Sequence, residues 1–289
     1  MRPAGRADWG AYLFALPFLV LFASFVAGPV LYGLALSFTR WELLAHEPPA
    51  LVGLANFREA FGDPYFWKAL QATFRFVAMA TPITVGLALV VALGLNALRG
   101  RRQSLYRAAY FVPTLITISV AGILWRWFYN SEFGLFNALL APLGIKAPWL
   151  TDTAWAMPSI ALMTLWWTLG GPVVVLLAGL QQIPAPYLEA AALDGAGPWQ
   201  RLRSVTLPLL RPVLLFVMVL NVIGAFQVFG QVYMITRGGP EMTTRTVVQY
   251  VYETAFNSYR MGYAAALSWL LFAIIAALSV AQFRLLRER

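Results

Sequence analysis

EAAALDGAGPWQRLRSVTLP, residues 189–208, is the stretch on which the reading of this chain turns. Just before it, Pro184 and Pro186 interrupt a long apolar run, because proline removes a backbone donor and restricts the residue that precedes it. Tyr187–Leu193 then reads as a short helix with Ala190, Ala191 and Ala192 packed together, Gly195 and Gly197 allow a sharp turn, and Pro198 starts a second helical piece. Trp199, Leu202 and Val205 recur at helical spacing, which predicts one face buried against the protein's own helix ends and leaves Gln200, Arg201 and Arg203 in water. Pro208 and Pro212 mark the entry to the next apolar run. The expected product is a helix, a glycine turn and a second helix at one face of a membrane.

The membrane follows from what surrounds this segment. Of 289 residues, 60% are hydrophobic and 11% charged, too little charge to clothe a soluble globule. The net charge of +9 does not point to nucleic acid, since the arginines cluster at the ends of apolar runs and no basic patch is interleaved with aromatics. The chain has no cysteine and a single histidine, His46, so no thiolate or histidine metal cluster is available.

Crossing about 30 Å of hydrocarbon takes roughly 20 helical residues. Six apolar runs suffice, and the predicted architecture is an all-α membrane protein with spans at about 11–37, 72–98, 107–128, 155–181, 209–233 and 262–284, in a single domain over 1–289. Arg126 extends the third by snorkelling, and the shorter run 133–145 is expected as a helix on the outer surface. Arg2 and Arg6 precede a run too long for a signal peptide, so the first span is expected to be uncleaved. With the N-terminus inside, inner segments hold 12 basic and four acidic residues and outer segments nine and eight. That balance, +8 against +1, predicts both termini, and the 184–208 loop, in the cytoplasm. The short basic turn 99–107 reads as an anchor at anionic headgroups.

The order Glu189, Ala190, Ala191, Gly195, Val205, Leu207, Pro208 resembles the EAA loop of the membrane subunits of ATP-binding-cassette importers. The flanks IPAPYLEAAALDGAGPWQRL (183–202), PVLYGLALSFTRW (29–41), GLANFREAF (53–61), YMITRGGP (233–240) and YETAFNSYRMGYAAALSWLLF (252–272) are similar to the carbohydrate branch. Within that branch the chain is most similar to the first permease subunit of sugar and glycerol-3-phosphate importers, and the resemblance covers nearly all of it. It departs at Gly230, where an Asp is often found, so no acidic contact is assigned there.

The resemblance implies a type I importer permease fold in a bacterial or archaeal cytoplasmic membrane. It implies a second homologous permease subunit, two copies of an ATPase that carry the ATP and magnesium, and an extracytoplasmic solute-binding protein. It also implies that Glu189, Ala190, Ala191, Asp194, Gly195 and Gly197 form the surface that docks into the ATPase. Glu189 would there face an arginine of that partner; alternatively it is only an acid favoured at a helix N-terminus.

The residues agree that this chain needs outside energy. The only lysines, Lys68 and Lys146, follow Trp67 and Ile145, so no phosphate-binding Gly-Lys-Ser/Thr loop exists, and no span core holds a carboxylate for proton coupling. No Ser/His or paired-carboxylate set suggests an intramembrane enzyme. The solute pathway is expected along spans four and five, at Trp167, Thr168, Gly171, Asn221, Gly224, Ala225, Val228 and Gln231, with Trp166 beside them. Aromatic faces with neutral amides and hydroxyls suit a polyhydroxylated ligand, and the last five are expected on one face of one helix. Helix–helix packing is the alternative for any one of them. Trp125 and Trp127, near span ends, are expected as interfacial anchors. Because Arg75 and Arg126 sit at span ends, a neutral mono-, di- or oligosaccharide is favoured over glycerol-3-phosphate or another polyol. The rival class is a stand-alone facilitator or channel.

Overall fold

The structure, a computed structural model, describes residues 9–45 and 48–287. Arg2, Arg6, Asp8, His46, Glu288 and Arg289, used in the charge and metal expectations, lie outside the described residues. The chain divides into two compact units, residues 1–63 with 251–270 and residues 64–250 with 271–289.

In the first unit, helix α1 (Leu13–Ser37) is uncharged and strongly apolar, and none of its most hydrophobic window is buried among the described residues. A two-residue ribbon, β1 (Thr39–Arg40) with β2 (Ala50–Leu51), leads to α2 (Ala55–Gly62). The end of α1 is held by Asn56, whose amide donates to the carbonyls of Ser37 and Thr39 at 2.9 Å each. Residues some 200 positions away complete the clip. Arg260 donates to both oxygens of Glu59 at 2.7 Å and stacks over the Tyr263 ring, while the Tyr263 hydroxyl donates to Asp63 at 2.7 Å. The first turns of the last helix (Met261–Arg287) are thereby tied to α2.

The second unit is organised on α3 (Pro64–Asn96), 33 residues and so about 50 Å long. One core cluster gathers Phe76 and Ala80 with Trp125, Tyr129, Ile160 and Val232; another gathers Val85 and Ala88 with Val173, Leu176 and Leu210. Among the described residues four helices are long and apolar enough to cross a membrane, or six if each of two bent pairs is one span.

The bends are where the structure departs from six straight rods. The predicted 107–128 span is instead α4 (Gly100–Phe111), a tight turn at Val112–Leu115, and α5 (Ile118–Phe128), with an angle of 95° across the break. Pro113 lies in that turn, and Ile116 and Thr117 after it are extended, so the helical ladder stops. The break is patched by the indole of Trp167, which donates to the Ile116 carbonyl at 2.9 Å. Span four is α7 (Thr153–Thr168) and α8 (Gly170–Gln181), bent by 51°. At that bend Gly170 lies against the Tyr110 carbonyl and Phe111 Cα, leaving no room for a side chain.

The predicted 209–233 span is also corrected. After α6 (Leu135–Leu140) and α9 (Ala185–Leu193) already in place along the chain, α10 runs from Pro198 to Phe226 without interruption. Pro208 does not begin a new helix because a wide π turn, Leu202–Thr206, precedes it, and the longer bond of Leu207 N–H to the Leu202 carbonyl relieves the ring clash of proline with the preceding turn. At its other end α10 stops at Phe226, and α11 (Gly230–Ile235) follows a break at 227–229. The Val228 carbonyl freed there accepts from Thr246, while Thr73 of α3 accepts from Val247 N–H at the start of α12 (Val247–Tyr252).

Trp125 is no interfacial anchor: it is buried among Tyr129, Phe136 and Trp166, because the break before α5 carries it inward. Trp166 accordingly belongs to that ring cluster, and Trp127 is half exposed.

Two outcomes test these contacts. Gly170→Ala forces a side chain onto backbone and should lower the thermal midpoint of the purified protein more than Gly171→Ala, where nothing lies within 4 Å. Trp167→Phe keeps the ring but strands the Ile116 carbonyl, a loss of about 1 to 3 kcal/mol by chemical denaturation in detergent.

Candidate functional site

α3, α7, α8 and α10 line a half-open cavity of about 480 Å³ in the second unit. All eight residues predicted for a solute pathway line it: Trp167 and Thr168 from the end of α7, Gly171 from α8, Asn221, Gly224 and Ala225 from α10, Val228 from the break, and Gln231 from α11. The expectation that Asn221 to Gln231 share one helix is corrected. The helix ends at Phe226, and the chain re-enters the same cavity after the break.

The local bonding sets what each polar group can offer. With its N–H given to Ile116, Trp167 presents an apolar face. The Asn221 amide nitrogen donates to Val217 of its own helix at 2.9 Å, which leaves the amide oxygen uncommitted. Thr168 and Thr164 donate to carbonyls one turn back and keep their acceptor lone pairs. Phe76 and Phe216 add ring faces, and among the described residues no Asp, Glu, Lys or Arg lines the cavity. Sequence reasoning missed the wall supplied by α3, where Phe76, Ala80 and Thr84 repeat every fourth residue with Thr81 beside them. Val175 and Phe216 also line a second, apolar groove of about 440 Å³ with Gly179, Gln182 and Val213.

The 184–208 loop is built differently. α9 ends in two bonds, Ala196 N–H to the Ala191 carbonyl at 2.9 Å and Gly195 N–H to the Ala192 carbonyl at 3.1 Å, with Asp194 between. This double closure requires a left-handed residue, and Gly195 has φ +78°. A methyl there would touch nothing, so the demand for glycine is conformational alone. Gly197, expected to share that role, has φ −68° and ψ 168°, ordinary extended backbone that caps the start of α10.

Glu189, Ala190 and Asp194 are exposed and Ala191 is half-buried. The predicted burial of Trp199, Leu202 and Val205 is met only in part: Trp199 is 71% exposed, whereas the other two are half-buried. With Leu193 89% and Tyr187 58% exposed, the loop presents an apolar surface that the described residues do not cover.

Comparison with known proteins places this geometry. Residues 74–288 match the model of the binding-protein-dependent transport system inner membrane component. The chain is 37% identical over 290 residues to the probable ABC transporter permease protein YesP of Bacillus subtilis (strain 168), covering 98% of this chain and 92% of that protein. It is 34% identical over 289 residues to the lactose transport system permease protein LacF of Rhizobium radiobacter, covering 98% and 95%. In fold it is similar to a chain in the crystal structure of a bacterial ABC transporter involved in the import of the acidic polysaccharide alginate, with a TM-score of 0.84 at 21% identity over 97% of this chain and 96% of that one. A multi-pass helical chain with this match across about three quarters of its length belongs to the family of binding-protein-dependent transport system inner membrane components, the permease subunits of ATP-binding-cassette importers.

Proposed function

We propose that this chain is one of two homologous permease subunits of an ATP-driven importer of a neutral sugar, a mono-, di- or oligosaccharide, working by alternating access. The observation that carries the substrate class is the uncharged cavity, where ring faces stand beside amide and hydroxyl groups. Sugar CH faces lie against rings and sugar hydroxyls against amides. A relative described as a lactose permease supports the same class. Glycerol-3-phosphate would meet no cation on this wall, so its charge would fall to the partner subunit.

Energy enters through two copies of an ATPase that hold the ATP and magnesium; this chain binds no cofactor. The exposed loop with Tyr187, Leu193 and Trp199 is the docking surface, with Glu189 beside it facing a basic group of the ATPase. The loop and both termini face the cytoplasm, and an extracytoplasmic solute-binding protein delivers the sugar.

The test is co-reconstitution of this chain with its partner permease, ATPase and binding protein in proteoliposomes. Gly195→Pro cannot adopt the left-handed conformation, and Glu189→Lys inverts the docking charge; both should lose ATP-dependent uptake and ATPase association. Gly195→Ala strains the same position by only about 1 to 2 kcal/mol and should retain part of both. Uptake by this chain alone, indifferent to ATP and to these substitutions, would replace the importer with a facilitator. Asn221→Leu, which removes the uncommitted amide, should cut uptake about tenfold or more while ATPase association persists.

A further inference from the structure

Helix hydroxyls in hydrocarbon ordinarily bond the carbonyl one turn back. Thr73, Thr164, Thr168, Thr236 and Ser268 all do so here. Thr81 of α3 and Ser279 of the last helix do not, and of these two Thr81 lines the cavity. Thr81 is 6% exposed, and its Oγ1 is buried with no hydrogen-bond partner. Leaving a hydroxyl unpaired in an apolar interior is unfavourable, and a group held that way calls for a ligand or another partner. The methyl and hydroxyl of threonine occupy neighbouring staggered positions on one carbon, so a χ1 turn of about 120° exchanges which of them meets the cavity. Thr73, on the same helix, shows the contrasting case: it donates to Ala69, accepts from Val247 N–H, and is wholly structural.

We propose that Thr81 is a substrate-contacting residue, bonding a hydroxyl of a neutral saccharide in the cavity it shares with Trp167 and Asn221. This rests on the sugar-importer reading above. The chemistry fits a hydroxylated ligand: a threonine hydroxyl both donates and accepts, as a sugar hydroxyl does, and no charged lining residue competes for it.

Two measurements test the assignment in the assembled transporter: ATP-dependent uptake of glucose, maltose, lactose and raffinose, each offered separately, and the thermal midpoint without sugar. Thr81→Val should reduce uptake of the imported sugar about tenfold, as expected for one lost hydrogen bond to a desolvated ligand. It should leave the midpoint unchanged or raised, because it removes an unpaired polar group. Thr81→Ser should keep uptake within about twofold, whereas Thr73→Val should lower the midpoint. Thr81→Val that lowers the midpoint as Thr73→Val does would make the hydroxyl structural and overturn the proposal. Import by wild type that Thr81→Val leaves unchanged would overturn the role of Thr81 alone. ATP-dependent import of glycerol-3-phosphate by wild type, with none of the four sugars imported, would overturn the reading on which it rests.

Discussion

A backbone carbonyl released from a helix inside hydrocarbon must find its donor within the protein, since no water is there to supply one. The second unit interrupts its helices and meets this constraint with side chains. Trp167 closes the gap at Ile116, Thr246 the gap at Val228, and Thr73 receives the first amide of the helix that follows. Without such bonds the breaks would revert to continuous helix or admit water, and the cavity wall would lose its shape. Trp167, which patches one break, and Val228, whose carbonyl is patched at another, both line the cavity, so the geometry of the cavity and the tolerance of broken backbone are one property.

How much of this the chain announces depends on whether a residue contrasts with its surroundings. Asn221 and Gln231 stand out within apolar runs, and the cavity holds both. Thr81 and Thr84 do not stand out, because threonine is nearly neutral in hydropathy and α3 otherwise reads as a plain span; its contribution became visible only once three other helices were packed around it. The break at Ile116 was hidden for a similar reason. A lone Pro113 in an uncharged run is tolerated in many membrane helices, and nothing local distinguishes a kink from a right-angled stop. Trp125 followed from that omission: near the end of a straight span it would lie at the interface, but after a 95° turn it lies in the core.

The 184–208 loop was legible in its turn and not in its surface. Glycine two residues past Leu193 is what a left-handed helix terminus needs, and the spacing from Ala191 is the reach of the closing bond. The periodicity of Trp199, Leu202 and Val205 was real, but periodicity says only that a face is apolar. It does not say which molecule covers it. Glycine also divides the labour within the loop: Gly195 supplies conformation, Gly197 only an extended entry to α10.

The absence of a helix break between Pro198 and Phe226 has a mechanical meaning. Asn221 lies 23 residues beyond Pro198 on one unbroken helix, roughly 35 Å along its axis. A tilt of about 5° imposed at the first turn and carried through the π turn at Leu202–Thr206 therefore displaces the cavity wall by about 3 Å, near the diameter of a water molecule. Such a rod transmits angle as distance, and the gearing is set by chain length: each helical turn added between loop and cavity would lengthen the throw for the same rotation.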